Sequence, residues 1–162
     1  MLSNPSKPAL ALFSSYIAAI EDSVGSNLFR KLYYRIDDKD IDVLDDGDLS
    51  CAVYVTTILY MFDLIGERHT TVTETIKDLI ASGWYKTKEP GVGVLIHWDY
   101  KIKNDGTRGT NRHLGFYIDE QTAVSNSSVA KMIIKHPPNR PVSHDSDAER
   151  DILAYYWHEK LN

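Results

Sequence analysis

One cysteine and six histidines are the side chains of this sequence best suited to breaking bonds. Cys51 heads the stretch 49–59, LSCAVYVTTIL, directly after the acidic, turn-rich residues Asp45, Asp46, Gly47 and Asp48. Cysteine attacks a carbonyl carbon as the thiolate, so its surroundings must favour the ionised form at the moment of attack. Behind it Ala52, Val53, Tyr54, Val55, Ile58, Leu59, Met61, Phe62 and Ile65 recur at i, i+3 and i+4, the pattern of a buried helix. Ser50 can cap that helix through its hydroxyl, which puts Cys51 in the first turn. There the unpaired backbone N–H groups and the positive end of the helix dipole favour a thiolate. The plainer reading is packing, because a free cysteine often behaves as a small buried hydrophobe. Its place at a helix start, rather than mid-helix, weighs against that.

A cysteine nucleophile needs a base to take its proton, and the base needs a polar group to orient it. His113 opens the strand-like segment 112–118, RHLGFYI, two residues before Gly115. Glycine inside a strand marks close approach by another group, and element ends are where functional side chains gather. The other histidines have simpler roles. His97 lies beside Trp98 inside the segment 92–98, His69 leads into a helix, and His136 ends a strand. His144 and His158 fall near or in a predicted C-terminal helix. Metal binding by His97, His113 and His136 is open on residue type, without the tight ligand spacing that marks such a site.

These side chains need a scaffold. Residues 1–8 hold two prolines and read as a loose lead-in, and 9–22 as an amphipathic helix with Leu12, Tyr16, Ile17 and Ile20 inward. A second helix is predicted over 28–34. Residues 37–48 carry seven aspartates in twelve positions and read as a solvated loop with a short strand at 41–44. Gly66 closes the Cys51 helix. Thr71 or Thr73 then caps a helix running to Ala81, with Glu74 three residues after Thr71 as in a capping box. From residue 92 the pattern turns to β-branched and apolar runs, predicting strands at 92–98, 112–118, 122–125 and 130–135, with Pro137 and Pro138 ending the last. A final helix is predicted over 146–160, capped by Asp145 or Ser146, with Ile152, Leu153, Tyr156 and Trp157 on one side. Helices first and an antiparallel meander second is the α+β class: N-terminal helices packed on a small antiparallel sheet, with a C-terminal helix, in one domain spanning 1–162.

Composition narrows the partners. A chain of 162 residues, 43% hydrophobic and 25% charged, has enough apolar material for one globular core. A net charge of −5 speaks against nonspecific nucleic-acid binding, which needs clustered positive charge. One cysteine forms no internal disulfide and no multi-cysteine zinc site. No apolar run approaches the ~18 residues of a membrane span. The N-terminal residues 9–22 are interrupted by Ser14, Ser15 and Tyr16 and end in Glu21 and Asp22, unlike the unbroken apolar core of a signal peptide. The chain is therefore expected in the cytoplasm as synthesised, with another route of export left open, and its oligomeric state is undetermined.

The order of a cysteine at a helix start (Leu49, Ser50, Cys51, Ala52) and then His113-Leu114-Gly115-Phe116-Tyr117-Ile118 resembles the papain-like hydrolases of the NlpC and CHAP type. The run Glu89-Pro90-Gly91-Val92-Gly93-Val94-Leu95-Ile96 is similar to the segment that precedes the histidine in that family, and the likeness spans about residues 45–136. The sequence departs from the NlpC pattern around the cysteine, where Ser50 stands in place of the usual aspartate and Ala52-Val53 in place of Ser-Gly. The loop 99–111 looks like an insertion. The resemblance implies a papain-like fold, with Cys51 as nucleophile and His113 as general base. The third position falls on Ala123-Val124-Ser125-Asn126. Strand alternation lets only one of Ser125 and Asn126 face the site. Asn126 is favoured, since an amide oxygen can hold the imidazole tautomer, and His136 is a more distant candidate. The Cys51 backbone N–H would supply the oxyanion hole; Tyr33 and Tyr34 could assist it or belong to the core. The implied activity is a thiol peptidase or amidase cleaving peptidoglycan peptides through a thioacyl enzyme, without metal or organic cofactor. The same apparatus could serve another acyl substrate, as a deamidase, acyltransferase or toxin-like amidase. A third reading is a non-catalytic binding domain.

Overall fold

The structure, a computed structural model, describes residues 7–102, 105–139 and 150–162. Most of the loose lead-in, and the predicted cap and first turn of the last helix, lie outside the described residues. Local sequence explains the first element. Helix α1, Leu12–Asp22, turns Tyr16 and Ile20 fully inward. The Tyr16 hydroxyl donates to the Gly93 carbonyl at 2.8 Å. Gly93 has φ +84°, and a Cβ there would meet Tyr16 at 2.9 Å and Ile17 at 2.8 Å. The position therefore demands glycine on both conformational and steric grounds.

In place of the second predicted helix, residues 28–30 make a turn and the chain then enters a hairpin at Tyr33. Strands β1, Tyr33–Ile36, and β2, Lys39–Asp42, pair antiparallel through Asp37 and Asp38, both at positive φ (47° and 60°). A two-residue hairpin turn needs two left-handed residues, and aspartate tolerates that conformation better than most. The aspartate-rich stretch is thus folded rather than simply solvated. The Asp42 carboxylate accepts from the backbone N–H groups of Leu32, Leu44 and Asp46 at 2.9–3.1 Å. Burial pushes its carboxyl up, but these three bonds and Lys31 together hold it below the usual range. Arg30 clasps Asp46 with two hydrogen bonds of 2.8 Å.

This ordered turn delivers the chain into α2, Cys51–Tyr60, whose residues from Cys51 to Thr56 are all buried, along with Ile58 and Leu59. Its apolar faces pack on both α1 and the sheet. The helix stops before Gly66, because Asp63 takes φ 53° and the Leu64 N–H reaches back to the Leu59 carbonyl at 3.1 Å, a C-terminal cap. Helix α3, Val72–Ala81, starts as expected, with the Glu74 N–H donating to Thr71 Oγ1.

The fold is α+β. Strands β3 (Tyr85–Thr87), β4 (Leu95–Trp98), β5 (His113–Asp119), β6 (Thr122–Ser127), β7 (Met132–His136) and β8 (Ile152–Trp157) form one antiparallel sheet in the order β3-β8-β4-β5-β6-β7. The expected C-terminal helix is corrected here: residues 152–157 are an interior strand between β3 and β4, followed by a short 3-10 turn at Glu159–Leu161. ILAYYW is rich in β-branched and aromatic residues and is shielded in part on both faces, so it shows no clean alternation. On the helix side of the sheet, Leu95, Leu114, Phe116 and Val124 meet Tyr16 and Tyr54 in the main core, with the Phe116 ring edge-on to both tyrosines at 5.8 and 5.6 Å. On the other side Val94, Ile96, Trp98, Tyr117 and Ala123 form a smaller cluster. No helix among the described residues is long and apolar enough to cross a membrane.

Candidate active site

Cys51 is the first residue of α2, only 9% exposed, and it faces the end of the sheet where β5 and β6 part. Pairing between those strands reaches Gly115↔Ser125 and stops two residues short of His113. The thiol lies against the backbone N–H of Leu114, the residue after His113, and within electrostatic range of Arg150. Ser50 occupies the cap position, but its φ and ψ (−85°, −8°) are helical and its buried hydroxyl caps nothing. The expected ionisation by the helix start does not prevail. Burial pushes the Cys51 thiol up; the Leu114 N–H, the Arg150 charge and the N–H groups of Ala52 and Cys51 pull it down without overcoming that.

His113 is held on three sides. Its ring stacks tilted on Trp98 at 5.4 Å, Trp98 pairs with it in register across β4–β5, and its Nε2 lies 2.9 Å from Ser125 Oγ. Ser125 Oγ in turn lies 2.7 Å from His136 Nε2, and His136 Nδ1 lies 2.9 Å from the Pro137 carbonyl oxygen. Gly115 makes this possible. It sits opposite Ser125, and a Cβ there would meet the Val124 carbonyl at 2.6 Å, Ser125 Cβ at 2.7 Å and the Trp98 ring at 3.0 Å. Burial, the Arg150 charge and the neighbouring His136 keep the His113 ring well below the ordinary histidine range. Among the described residues no side-chain hydrogen bond joins His113 to Cys51; burial keeps both the thiol and the imidazole neutral at rest.

The side chain that touches the imidazole is therefore Ser125, not Asn126. Asn126 points to the helix side of the sheet, where its Nδ2 donates to the Gly47 carbonyl at 2.8 Å. It ties down the turn that leads into Cys51 and does not touch the imidazole. His136 stands behind Ser125. His97, whose ring burial and the nearby Arg112 charge push to about 4, has a buried Nε2 without a hydrogen-bond partner among the described residues. Among the described residues no group of three His, Cys, Asp or Glu side chains forms a potential metal site, so His97, His113 and His136 do not converge as ligands. His69 is engaged elsewhere, 2.7 Å from Asp78. Tyr33 and Tyr34 are 56% and 49% exposed on the β1–β2 hairpin and belong neither to the core nor to the site. Tyr34 lines a separate cleft of about 420 Å³ with Tyr60 and His69.

Two contributors escaped the sequence. Arg150 donates through Nη1 to the carbonyls of Asp99 and Asn111 at 2.9 and 2.8 Å, which brings its charge beside both Cys51 and His113. It lies 99 positions after Cys51 in the sequence, and only the return of β8 into the sheet places it here. Trp98, anchored by its Nε1 donating to the Pro138 carbonyl at 2.7 Å, roofs both His113 and His136. The apolar-run reading of its strand gave it no role beyond packing. Compared with known proteins, the chain matches no family model and no curated protein.

Proposed function

We propose that the chain is a papain-like cysteine hydrolase that cleaves amide bonds in peptidoglycan peptides. The observation that carries this reading is the buried Cys51 thiol at the start of α2, lying against the Leu114 N–H, one residue after His113, whose imidazole is held by Ser125. A packing cysteine has no need of a polar, histidine-bearing strand end against its sulfur. The choice of peptidoglycan rests on the sequence resemblance.

Because both partners are neutral at rest, His113 takes the thiol proton as Sγ attacks the carbonyl carbon. The oxyanion forms next to the Cys51 N–H at the helix start, where that donor and the helix dipole stabilise it. The C–N bond then breaks as His113 returns the proton to the leaving amine. A water, giving its proton to His113, attacks the thioester carbonyl and releases the acid and the free thiol. Arg150 stabilises the transient thiolate and disfavours an imidazolium, so it makes the proton transfer brief.

The test is digestion of purified peptidoglycan by wild type and Cys51→Ala, with mass spectrometry of the released fragments. New wall-peptide ends from wild type alone are expected and identify the bond. Equal release from both sinks Cys51 as the nucleophile, and release from neither removes peptidoglycan as substrate.

A further inference from the structure

We propose that the Pro137 carbonyl, acting through His136 and Ser125, dictates which nitrogen of His113 carries the proton, and that protonation of His136 reverses the setting and turns the site off. The inference deepens the hydrolase reading and rests on it for its catalytic meaning, but its direction follows from donors and acceptors alone.

A carbonyl oxygen only accepts. His136 Nδ1, 2.9 Å from the Pro137 oxygen, must therefore carry a hydrogen. A neutral ring then leaves Nε2 bare, and the bare nitrogen accepts from the Ser125 hydroxyl at 2.7 Å. With its one hydrogen committed, Ser125 Oγ has only lone pairs for its second neighbour, His113 Nε2, at 2.9 Å. So His113 Nε2 is the N–H, and Nδ1 is the free base. Nδ1 is the ring nitrogen nearer the main chain, and the next backbone N–H along, that of Leu114, touches the Cys51 sulfur. Ser125 and His136 are positioning residues, and the wrong tautomer would leave Cys51 with no acceptor for its proton. Such a fault costs as much as ~10⁴-fold in a serine triad.

A proton on His136 makes both of its nitrogens donors. Nε2 then donates to Ser125, whose hydroxyl hydrogen loses its acceptor and turns to the other ring nitrogen within reach, His113 Nε2, once that nitrogen gives up its own hydrogen. His113 is driven to carry its proton on Nδ1. The Ser125–His136 end of the relay is sealed from water: Ser125 is 1% and His136 4% exposed, and His113 is half-buried. The groups facing His136 among the described residues are Ser125 on β6, His113 on β5, Trp98 on β4 and its own Pro137 carbonyl, with the Arg150 charge beyond His113. Burial lowers the His136 ring, opposed by the Pro137 carbonyl, so the reversal falls below the ordinary histidine value near 6.5.

Histidine side-chain ¹⁵N–¹H correlation spectra of the full chain test this without any substrate. At pH 7.5 the expected result is the Nε2–H form of His113 in wild type and in His136→Gln, whose amide oxygen can still accept from Ser125. Ser125→Ala should mix the two forms. On acidification, wild type should convert to Nδ1–H as His136 takes up its proton, and His136→Gln should not. An Nδ1–H His113 at pH 7.5 in wild type overturns the proposal, as does an unchanged tautomer in Ser125→Ala or identical acid behaviour in His136→Gln. Since the readout is structural, an Nε2–H His113 in a protein that releases no wall peptides would uphold the relay while the hydrolase reading fails.

Discussion

At the scale of single residues, the candidate site places ordinary groups where water is scarce. The Cys51 thiol is held neutral by burial, and one positive charge, Arg150, acts against that. Arg150→Gln is expected to raise the thiol pKa further and to slow thiol chemistry at pH 7.5 several-fold while leaving the fold intact, read as the pH dependence of the rate. Asn126 has a different kind of role. Removing its amide leaves the buried Gly47 carbonyl unpaired, which costs about 1–3 kcal/mol. Asn126→Ala should therefore lower the melting temperature but leave the pH profile of activity in place, whereas Ser125→Ala should change the profile. The sequence pointed to the strand position and even to the choice between neighbours, but not to the outcome. Which of two adjacent strand residues faces a given side is set by register, and register depends on pairing with Gly115, not on residue type.

At the scale of elements, three devices bring the residues together: the capped turn before α2, the parting of β5 from β6, and the missing side chain at Gly115. Gly115→Ala would drive a methyl into the Val124 carbonyl, Ser125 and the Trp98 ring. The expected cost is about 2–4 kcal/mol, with His113 displaced from Ser125, measured by chemical denaturation and by the His113 spectrum. Much of this level was legible. The helices containing Cys51 and Glu74, and the strands beginning near His113 and Thr122, follow from apolar periodicity and from a capping box. What escaped has a common cause. Residues 28–34 and 152–157 both carry apolar spacings that fit a helix locally, yet the first is resolved by a two-aspartate turn and the second by partners more than 50 residues away in β4. Local pattern does not hold long-range pairing, so the strand that completes the sheet was the least readable element.

At the scale of the whole molecule, the sheet ties the site to the C-terminus. β8 lies inside the sheet rather than at its rim, so a chain ending at residue 151 should lose both neighbours' pairing and fail to fold, as judged by circular dichroism and solubility. Stability should also depend on pH through the buried histidines. His97 is pushed to about 4, and His113 and His136 are lowered too, each chiefly by burial. A depressed histidine stabilises the fold fully above its unfolded pKa near 6.5, and this contribution is lost as pH falls through the folded value, because the unfolded chain binds the proton first. The melting temperature should be flat above pH 7 and fall steadily from pH 6.5 to 4, less steeply in His97→Phe. The proposed chemistry stands on Cys51 acting with His113. Its most direct measurement is the rate of Cys51 alkylation by iodoacetamide in the folded protein at pH 7.5, wild type against His113→Ala. The expected result is ready labelling of wild type despite the buried thiol, and labelling slower by about 10² or more once the base is gone. Equal rates in the two proteins, or a wild-type thiol that reacts only on unfolding, would contradict it.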